Sequence, residues 1–185
     1  MAYHKSSHLP SVTQVIAPFT DYSRIPPHIL AQASERGSRV HGICAARVQG
    51  LWHPPVGDDL AGYIRSFDAW ALVVADLVLA EAELVDAALG YAGHPDLILR
   101  VHGDEGLSLV DLKTPVALHW VWRAQLAAYR NLAEVNGHQI SRVFSLRLAK
   151  DGGQAKLDEY TGTTRADFAG FIAALNAYRY FKGEK

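Results

Sequence analysis

Residues 90–114 read GYAGHPDLILRVHGDEGLSLVDLKT. Two hydrophobic runs in this stretch are separated by the polar turn GDEG, and the length of each run suits a β-strand. We therefore predict that residues 97–102 pair with residues 107–112 in an antiparallel hairpin. The second run, LSLV, ends in two charges of opposite sign that lie two residues apart, Asp111 and Lys113.

Asp111 and Lys113 are expected on the same face of the strand, because side chains alternate between the two faces. Across the turn, Asp96 comes level with residues 112–113 and so lies close to Asp111. Two carboxylates at such a short distance repel each other. Binding of a shared divalent cation is the usual way to offset this repulsion. Taken alone, the two charges of the strand also fit an exposed ion pair of little energetic value.

The rest of the chain alternates between helical and strand patterns. Helices are predicted from Pro26-Pro27 to about Val48, from Asp58 or Asp59 through Val74, over 116–137 with its end at Asn136-Gly137, and over 164–181. Strands are predicted over 84–90, 91–102, 107–114, 141–153 and 155–161, the first three as a meander. This order predicts an α/β fold in which helices flank a mixed central β-sheet, and residues 1–185 are expected to form a single domain.

The composition excludes several classes of site. Cys44 is the only cysteine, which rules out a disulfide framework and any zinc or iron–sulfur site built from cysteines. The sequence has no 18-residue apolar run, and its first residues lack the apolar core of a signal peptide. We expect a cytoplasmic protein without a membrane partner.

Charge is distributed unevenly along the chain, although the net charge is only −1. Residues 57–111 contain eleven Asp and Glu against two Arg, whereas residues 112–150 contain six Lys and Arg against one Glu. Four Arg against one Glu mark residues 22–50. The pattern fits either an acidic metal cluster beside a basic groove or ordinary solvated faces.

Five short motifs, in order, resemble the PD-(D/E)XK nuclease superfamily, and in particular its RecB-like and phage-exonuclease branch. They are the helical stretch ERGSRVHG (35–42), a glutamate in AEAELVDAALG, the G-x-x-D of Gly93 and Asp96, the D-L-K-T of 111–114, and the Q-L-A-A-Y of 125–129. The matches span about half of the chain. The resemblance implies a restriction-endonuclease-like core. Many members have E-x-K where this chain has D-x-K.

The resemblance also implies a role for each matched residue. Asp96, Asp111 and His41 would bind the metal, with Mg²⁺ or Mn²⁺ as the cofactor. Lys113 would orient or activate the attacking water and stabilise negative charge on the phosphate. Glu83 would assist catalysis beside the metal. Glu81 competes for that role, and the motif spacing favours Glu83.

Substrate contacts are implied mainly by helical positions. Gln125 and Tyr129 stand four residues apart, on one face of the predicted helix, and would face the cleft. Arg36 and Arg39 would contact phosphates of the substrate. Further candidates for phosphate contact are Arg123, Arg130, Arg147 and Lys150.

The implied activity is hydrolysis of DNA phosphodiester bonds by a Mg²⁺-dependent deoxyribonuclease. Within the branch, a phage-type exonuclease acting on linear DNA in recombination or repair fits best, in a bacterial cell or a phage-infected host. Two alternatives stay open: a structure-specific endonuclease, and a non-catalytic nucleic-acid-binding module on a nuclease fold. A homo-oligomer or a recombination partner protein is a further expectation from this branch.

Overall fold

The computed structural model describes residues 9–114 and 118–182. The α-helices in this part of the chain are α1 (Val12–Ile16), α2 (Pro27–Val48), α3 (Asp58–Ala71), α4 (Val121–Val135) and α5 (Thr164–Lys182). The strands are β1 (Val74–Ala80), β2 (Leu84–Asp86), β3 (Tyr91–Gly93), β4 (Leu97–Val101), β5 (Leu107–Lys113), β6 (Ile140–Arg147) and β7 (Lys156–Glu159). None of the described helices combines the length and the apolar character needed to cross a membrane.

A central sheet of five strands has the order β1-β4-β5-β6-β7. Its neighbours are antiparallel except β5 and β6, which are parallel and are connected through α4. A parallel pair needs such a crossover, because a tight turn cannot return the chain to the same end of the sheet. The prediction of an α/β fold with a mixed central sheet flanked by helices is confirmed.

The two faces of the sheet are covered by different helices. Leu109 of β5 belongs to the apolar core formed with α1, α4 and α5. Val110 and Leu112 belong to a second core formed with α2 and α3. This alternation places the odd-numbered residues of β5, including Asp111 and Lys113, on the side of α4.

The hairpin of β4 and β5 forms as predicted, with Leu97 opposite Val110 and Leu99 opposite Ser108. The predicted three-strand meander is wrong, because β2 and β3 form a separate two-stranded sheet. The run over 91–102 is divided at 94–96, where Pro95 cannot donate a backbone hydrogen bond to a strand ladder.

The predicted helix that continues through Val74 is also wrong. Helix α3 ends at Ala71, and Val74 begins the edge strand β1. The β-branched Val73 and Val74 suit a strand. The pairing of β1 with β4 makes this segment a strand, although its apolar residues also have helical spacing.

Most helix ends agree with the sequence signals. Pro27 begins α2, and Asn136-Gly137 follows the last residue of α4, with Gly137 at a φ of 92°. Gly57 rather than an aspartate is the N-cap of α3, whose first turn contains Asp58 and Asp59. Helix α4 begins at Val121, later than predicted, and the predicted helical positions 116–117 lie outside the described residues. The short helix α1 was not predicted.

Candidate metal and catalytic centre

Three carboxyl groups form a row across the neighbouring strands β1, β4 and β5. Glu81 directly follows β1, and its N–H donates to the C=O of Asp96 over 3.0 Å. Asp96 directly precedes β4, whose Leu97 pairs with Val110, so Asp96 lies beside Asp111. The strand register therefore brings together three carboxyl groups, each of which follows the previous one by 15 residues in the sequence.

The carboxylate of Asp96 is buried and has two partners. Its Oδ2 accepts a hydrogen bond from the backbone N–H of Leu112 over 2.6 Å. Its Oδ1 lies 3.2 Å from Nδ1 of His41, which α2 delivers from the other face of the sheet. The sequence prediction of Asp96 near both Asp111 and His41 agrees with this geometry.

The ammonium group of Lys113 is held on three sides. Its Nζ forms an ion pair with Oδ2 of Asp111 and donates to Oε1 of Gln125 over 2.9 Å. It also lies 5.4 Å from the centre of the Trp122 ring, within the range of a cation–π interaction. The Nε2 of Gln125 in turn donates to the hydroxyl of Tyr129 over 3.3 Å. Two of the predicted substrate-binding residues thus lie beside Lys113: Gln125 contacts it directly, and Tyr129 contacts Gln125.

Burial and mutual repulsion perturb the carboxyl groups. Burial, with a smaller contribution from the charge of Asp96, raises the pKa of Asp111 to about 6, although Lys113 opposes the rise. Partial burial and Asp96 raise the pKa of Glu81 to about 7, even though some of this side chain is exposed. Burial acts to raise the pKa of Asp96, but His41, Lys113 and the hydrogen bond from the Leu112 amide together lower it below its ordinary value.

The histidine completes this charge balance. Burial acts to lower the pKa of His41, but the adjacent Asp96 carboxylate raises it above its ordinary value. In the absence of a cation, the protein therefore tends to neutralise the site with protons. A cation can replace those protons, because its ligands must be deprotonated.

The donor set fits a hard divalent cation. One ligand atom each of His41, Glu81 and Asp96 lies within 4.8 Å of the other two. Asp111 adjoins this group, although its Oδ2 faces Lys113. Carboxylate oxygens are the ligands that Mg²⁺ prefers, and such sites retain several waters beside one or two carboxylates. The carboxylates also suit Mn²⁺, which is among the first-row divalent ions that bind mixed nitrogen and oxygen ligands.

Glu81, rather than Glu83, belongs to this group of ligand atoms. Among the described residues, Glu81 is the only non-glycine with a positive φ, 50°. That conformation costs about 1–2 kcal/mol in an ordinary residue, and such strain concentrates at functional sites. Glu83, which is exposed like Glu81, lies two residues further along, just before β2. The motif spacing favoured Glu83 over Glu81, and the sequence analysis did not identify β1, the strand that ends beside Asp96.

The predicted phosphate-contacting arginines of α2 lie outside the cluster of Asp96, Asp111 and Lys113. Arg36 and Arg39 line a cavity of about 310 Å³ together with Asp59 of α3 and Lys150. Arg39 pairs with Asp59 of α3 over 3.2 Å, and the guanidinium of Arg36 lies 6.0 Å from the centre of the Tyr63 ring. No hydrogen bond or ion pair within the described parts of the chain joins either arginine to Asp96 or Asp111.

Two other arginine candidates have structural partners. Arg123 forms an ion pair with Asp167 over 3.0 Å and so connects α4 with α5. Arg130 pairs with Glu134 over 2.8 Å and also donates to Thr164 and to the C=O of Ile140. Both side chains therefore stabilise the packing of α4.

Comparison with known proteins gives only distant likenesses. No protein-family model matches the chain, and no curated protein matches it. Its structure is similar to a crystal structure of a candidate exonuclease from Eubacterium rectale, with a TM-score of 0.44 and 12% identity over 76% of this chain and 73% of the other. It is also similar to LHK-Exo in complex with dAMP, with a TM-score of 0.35 and 16% identity over 95% of this chain and 92% of the other. Likenesses at this level do not assign a family, so the functional interpretation depends on the residues of the site.

Proposed function

We propose that this protein is a metal-dependent nuclease that hydrolyses phosphodiester bonds in DNA. The observation that carries the proposal is the convergence of Asp96, Asp111 and Lys113 at one end of β5, in a buried cluster with His41. A lysine two residues from a buried carboxylate, beside a second carboxylate on the next strand, is the arrangement on which the sequence resemblance to the PD-(D/E)XK nucleases rests.

The residues that would hold a Mg²⁺ or Mn²⁺ ion are Asp96, His41 and Glu81, with Asp111 beside them. When bound, such an ion supplies positive charge that polarises the phosphate and lowers the pKa of water. Asp96 is fixed by the Leu112 amide, so its oxygens are oriented before any ligand arrives. Preorganised ligands reduce the reorganisation needed at the moment of reaction.

Lys113 acts on the reacting groups directly. In the hydrolysis, a water oxygen attacks phosphorus and gives up one proton. The bond from phosphorus to the leaving sugar oxygen breaks, and the leaving oxygen takes up one proton. The ammonium of Lys113 donates a hydrogen bond to the attacking water or to a phosphate oxygen, where negative charge increases. Gln125 and Trp122 restrict the position of this ammonium. Two of its three N–H groups face Asp111 and Gln125, which leaves one donor for the reacting groups.

The finer assignment is an exonuclease that acts on linear DNA in recombination or repair, with residues 1–185 as one nuclease domain. The sequence resemblance to the phage-exonuclease branch supports this choice, and it also suggests assembly into a homo-oligomer or with a recombination partner. Endonucleolytic action is the competing mode, and it is distinguished by the form of the DNA.

The decisive experiment combines metal dependence with substrate topology. The EDTA-treated protein is supplied with Mg²⁺ or Mn²⁺ and incubated with end-labelled linear DNA and with closed circular DNA of the same sequence. We expect metal-dependent loss of the linear DNA alone. Cleavage of the circle would replace the exonuclease assignment by an endonuclease. Absence of cleavage with either ion, under conditions in which DNA is bound, would favour a non-catalytic binding module.

A further inference from the structure

A second row of charges crosses the sheet beside the carboxyl row, and it is basic. Lys113 of β5 pairs in register with Arg147 of β6, and Arg147 pairs with Lys156 of β7. Residues in register on adjacent strands point to the same face, and neighbouring strands lie about 4.8 Å apart. The three cations therefore extend for about 10 Å from the catalytic lysine to the edge strand.

Like charges directly opposite each other destabilise a sheet, so each member of the row needs compensation or a ligand. Lys113 pairs with Asp111, and Arg147 pairs with Asp158 over 2.6 Å. Lys156 is exposed and makes no ion pair with any residue of 9–114 or 118–182. The row therefore ends in an uncompensated positive charge at the sheet edge.

Two members of the row, Arg147 and Lys156, line a cavity of about 670 Å³. Lys150 and Thr114, the residue after Lys113, line the same cavity. Lys150 is exposed, has no ion pair within the described segments, and also lines the smaller cavity of Arg36 and Arg39. Lys150 therefore lines both cavities, and the smaller one also contains the carboxylates of Glu35 and Asp59.

The turn that carries Lys150 is held firmly against α3. Ser66 accepts a hydrogen bond from the N–H of Ala149 over 3.0 Å. The C=O of Lys150 lies so close to Gly62 that a Cβ at that position would be 1.7 Å from the oxygen. Asp151, the one carboxylate among the described residues lining the larger cavity, accepts the N–H of Gly153 within the same turn. Lys150 is therefore presented on a fixed turn rather than on a loose loop.

We propose that this groove, lined by Lys150 and Lys156, is where the phosphodiester backbone of the substrate runs beyond the cleaved bond. The inference rests on the proposed nuclease function. In this proposal, the carboxyl row on β1, β4 and β5 binds the cation. The basic row on β5, β6 and β7 binds phosphates of the substrate. β5 belongs to both rows, which explains why Asp111 and Lys113 end the same strand.

The test measures binding without hydrolysis. A phosphorothioate-linked single-stranded oligonucleotide is titrated by fluorescence anisotropy, in EDTA and in Mn²⁺, over a range of salt concentrations. The proteins are the wild type, Lys150→Gln, Lys156→Gln, the double variant and a matched control, Lys182→Gln, on the last turn of α5. Each phosphate contact on a single strand contributes about 0.7 to the slope of log affinity against log salt concentration.

We expect the slope to fall by about 0.7 in each single variant and by about 1.4 in the double variant, with no change in Lys182→Gln. The single variants decide the matter if the double variant does not fold. Equal slopes and affinities in all five proteins would overturn the groove assignment, even if the wild type hydrolyses DNA. Conversely, the expected slopes in a protein that hydrolyses no DNA would uphold the groove and refute the proposed nuclease activity.

Discussion

Asp96 accepts a hydrogen bond from the backbone amide of Leu112 over 2.6 Å, and this contact fixes its carboxylate beside Asp111. A backbone donor within a paired strand cannot rotate away, so the two carboxylates stay close whether or not a cation is bound. Their repulsion adds to burial in raising the pKa of Asp111 to about 6. The site is therefore costly to the metal-free protein, and this cost has measurable consequences.

Asp111→Asn is expected to separate stability from function. The amide keeps the size of the side chain and an oxygen that can accept from Lys113, which also donates to Gln125. The substitution removes a buried negative charge from beside Asp96, so the unfolding temperature in EDTA should stay equal or rise. The affinity for Mn²⁺ and the rate of hydrolysis should both fall. Thermal unfolding, calorimetric titration with Mn²⁺ and a DNase assay measure these effects.

Asp76→Asn, at an exposed position of β1, is the matched control and should leave all three unchanged. A large loss of stability in Asp111→Asn would contradict this description of the site.

Lys113→Ala should reduce DNA hydrolysis by about 10²- to 10³-fold, the usual cost of removing a donor that stabilises transition-state charge. The metal ligands remain, so binding of Mn²⁺ should persist. The buried carboxylate of Asp111 loses its ion-pair partner, and the unfolding temperature in EDTA should therefore fall and recover when Mn²⁺ is added. Hydrolysis by Lys113→Ala at the wild-type rate, at equal purity, would exclude the proposed role of the lysine.

Local sequence patterns were sufficient for the part of the site that lies on β4 and β5. The alternation of LSLVDLK placed Asp111 and Lys113 on one face, and the GDEG turn set the pairing that brings Asp96 near them. Both signals act over fewer than 20 residues, so they do not require knowledge of the remaining fold. The contact of His41 was different, because only the family resemblance suggested it.

The sequence analysis failed where position depends on long-range pairing. The apolar run that becomes β1 follows α3 without an intervening Gly or Pro, so its spacing continues the helical pattern. Only pairing with β4 makes it a strand, and only that pairing brings Glu81 level with Asp96. A strand prediction over 74–80 would have identified Glu81 as the residue that ends beside the carboxylates.

The variants Glu81→Gln and Glu83→Gln test directly which of the two glutamates belongs to the metal site. The two residues have the same chemistry and lie two positions apart, but only Glu81 groups with His41 and Asp96. We expect Glu81→Gln to weaken Mn²⁺ binding by at least about tenfold, as the loss of residues that support a metal site commonly does. Glu83→Gln should have the smaller effect. The opposite ranking in calorimetric titrations would restore Glu83 to the role that the motif spacing favoured.

The metal-free protein should lose stability as pH rises from about 5 to 8. The raised pKa values of Asp111, about 6, and Glu81, about 7, mean that the folded state holds protons that the unfolded chain has released. His41, whose pKa is also raised, contributes in the same direction. The lowered pKa of Asp96 acts only at lower pH, below its ordinary value of 3.8. Denaturant unfolding in EDTA at several pH values measures the trend, and Asp111→Asn should flatten it. A stability that rises toward pH 8 in EDTA would contradict these pKa shifts.

Gly93→Ala should destabilise the protein by about 1–3 kcal/mol, because it overpacks the contact between β3 and α4. A Cβ at Gly93 would lie 2.7 Å from the Tyr129 ring and 3.0 Å from Leu132. The matched control is Gly170→Ala on α5, where a Cβ meets no atom within 4 Å and should stabilise the helix by about 0.5–1 kcal/mol. Denaturant unfolding measures both changes.

Because Tyr129 accepts a hydrogen bond from Gln125, which holds Lys113, Gly93→Ala should also slow hydrolysis under conditions in which the variant remains folded. Full activity together with full stability in Gly93→Ala would show that the glycine of the G-x-x-D motif has no packing role here.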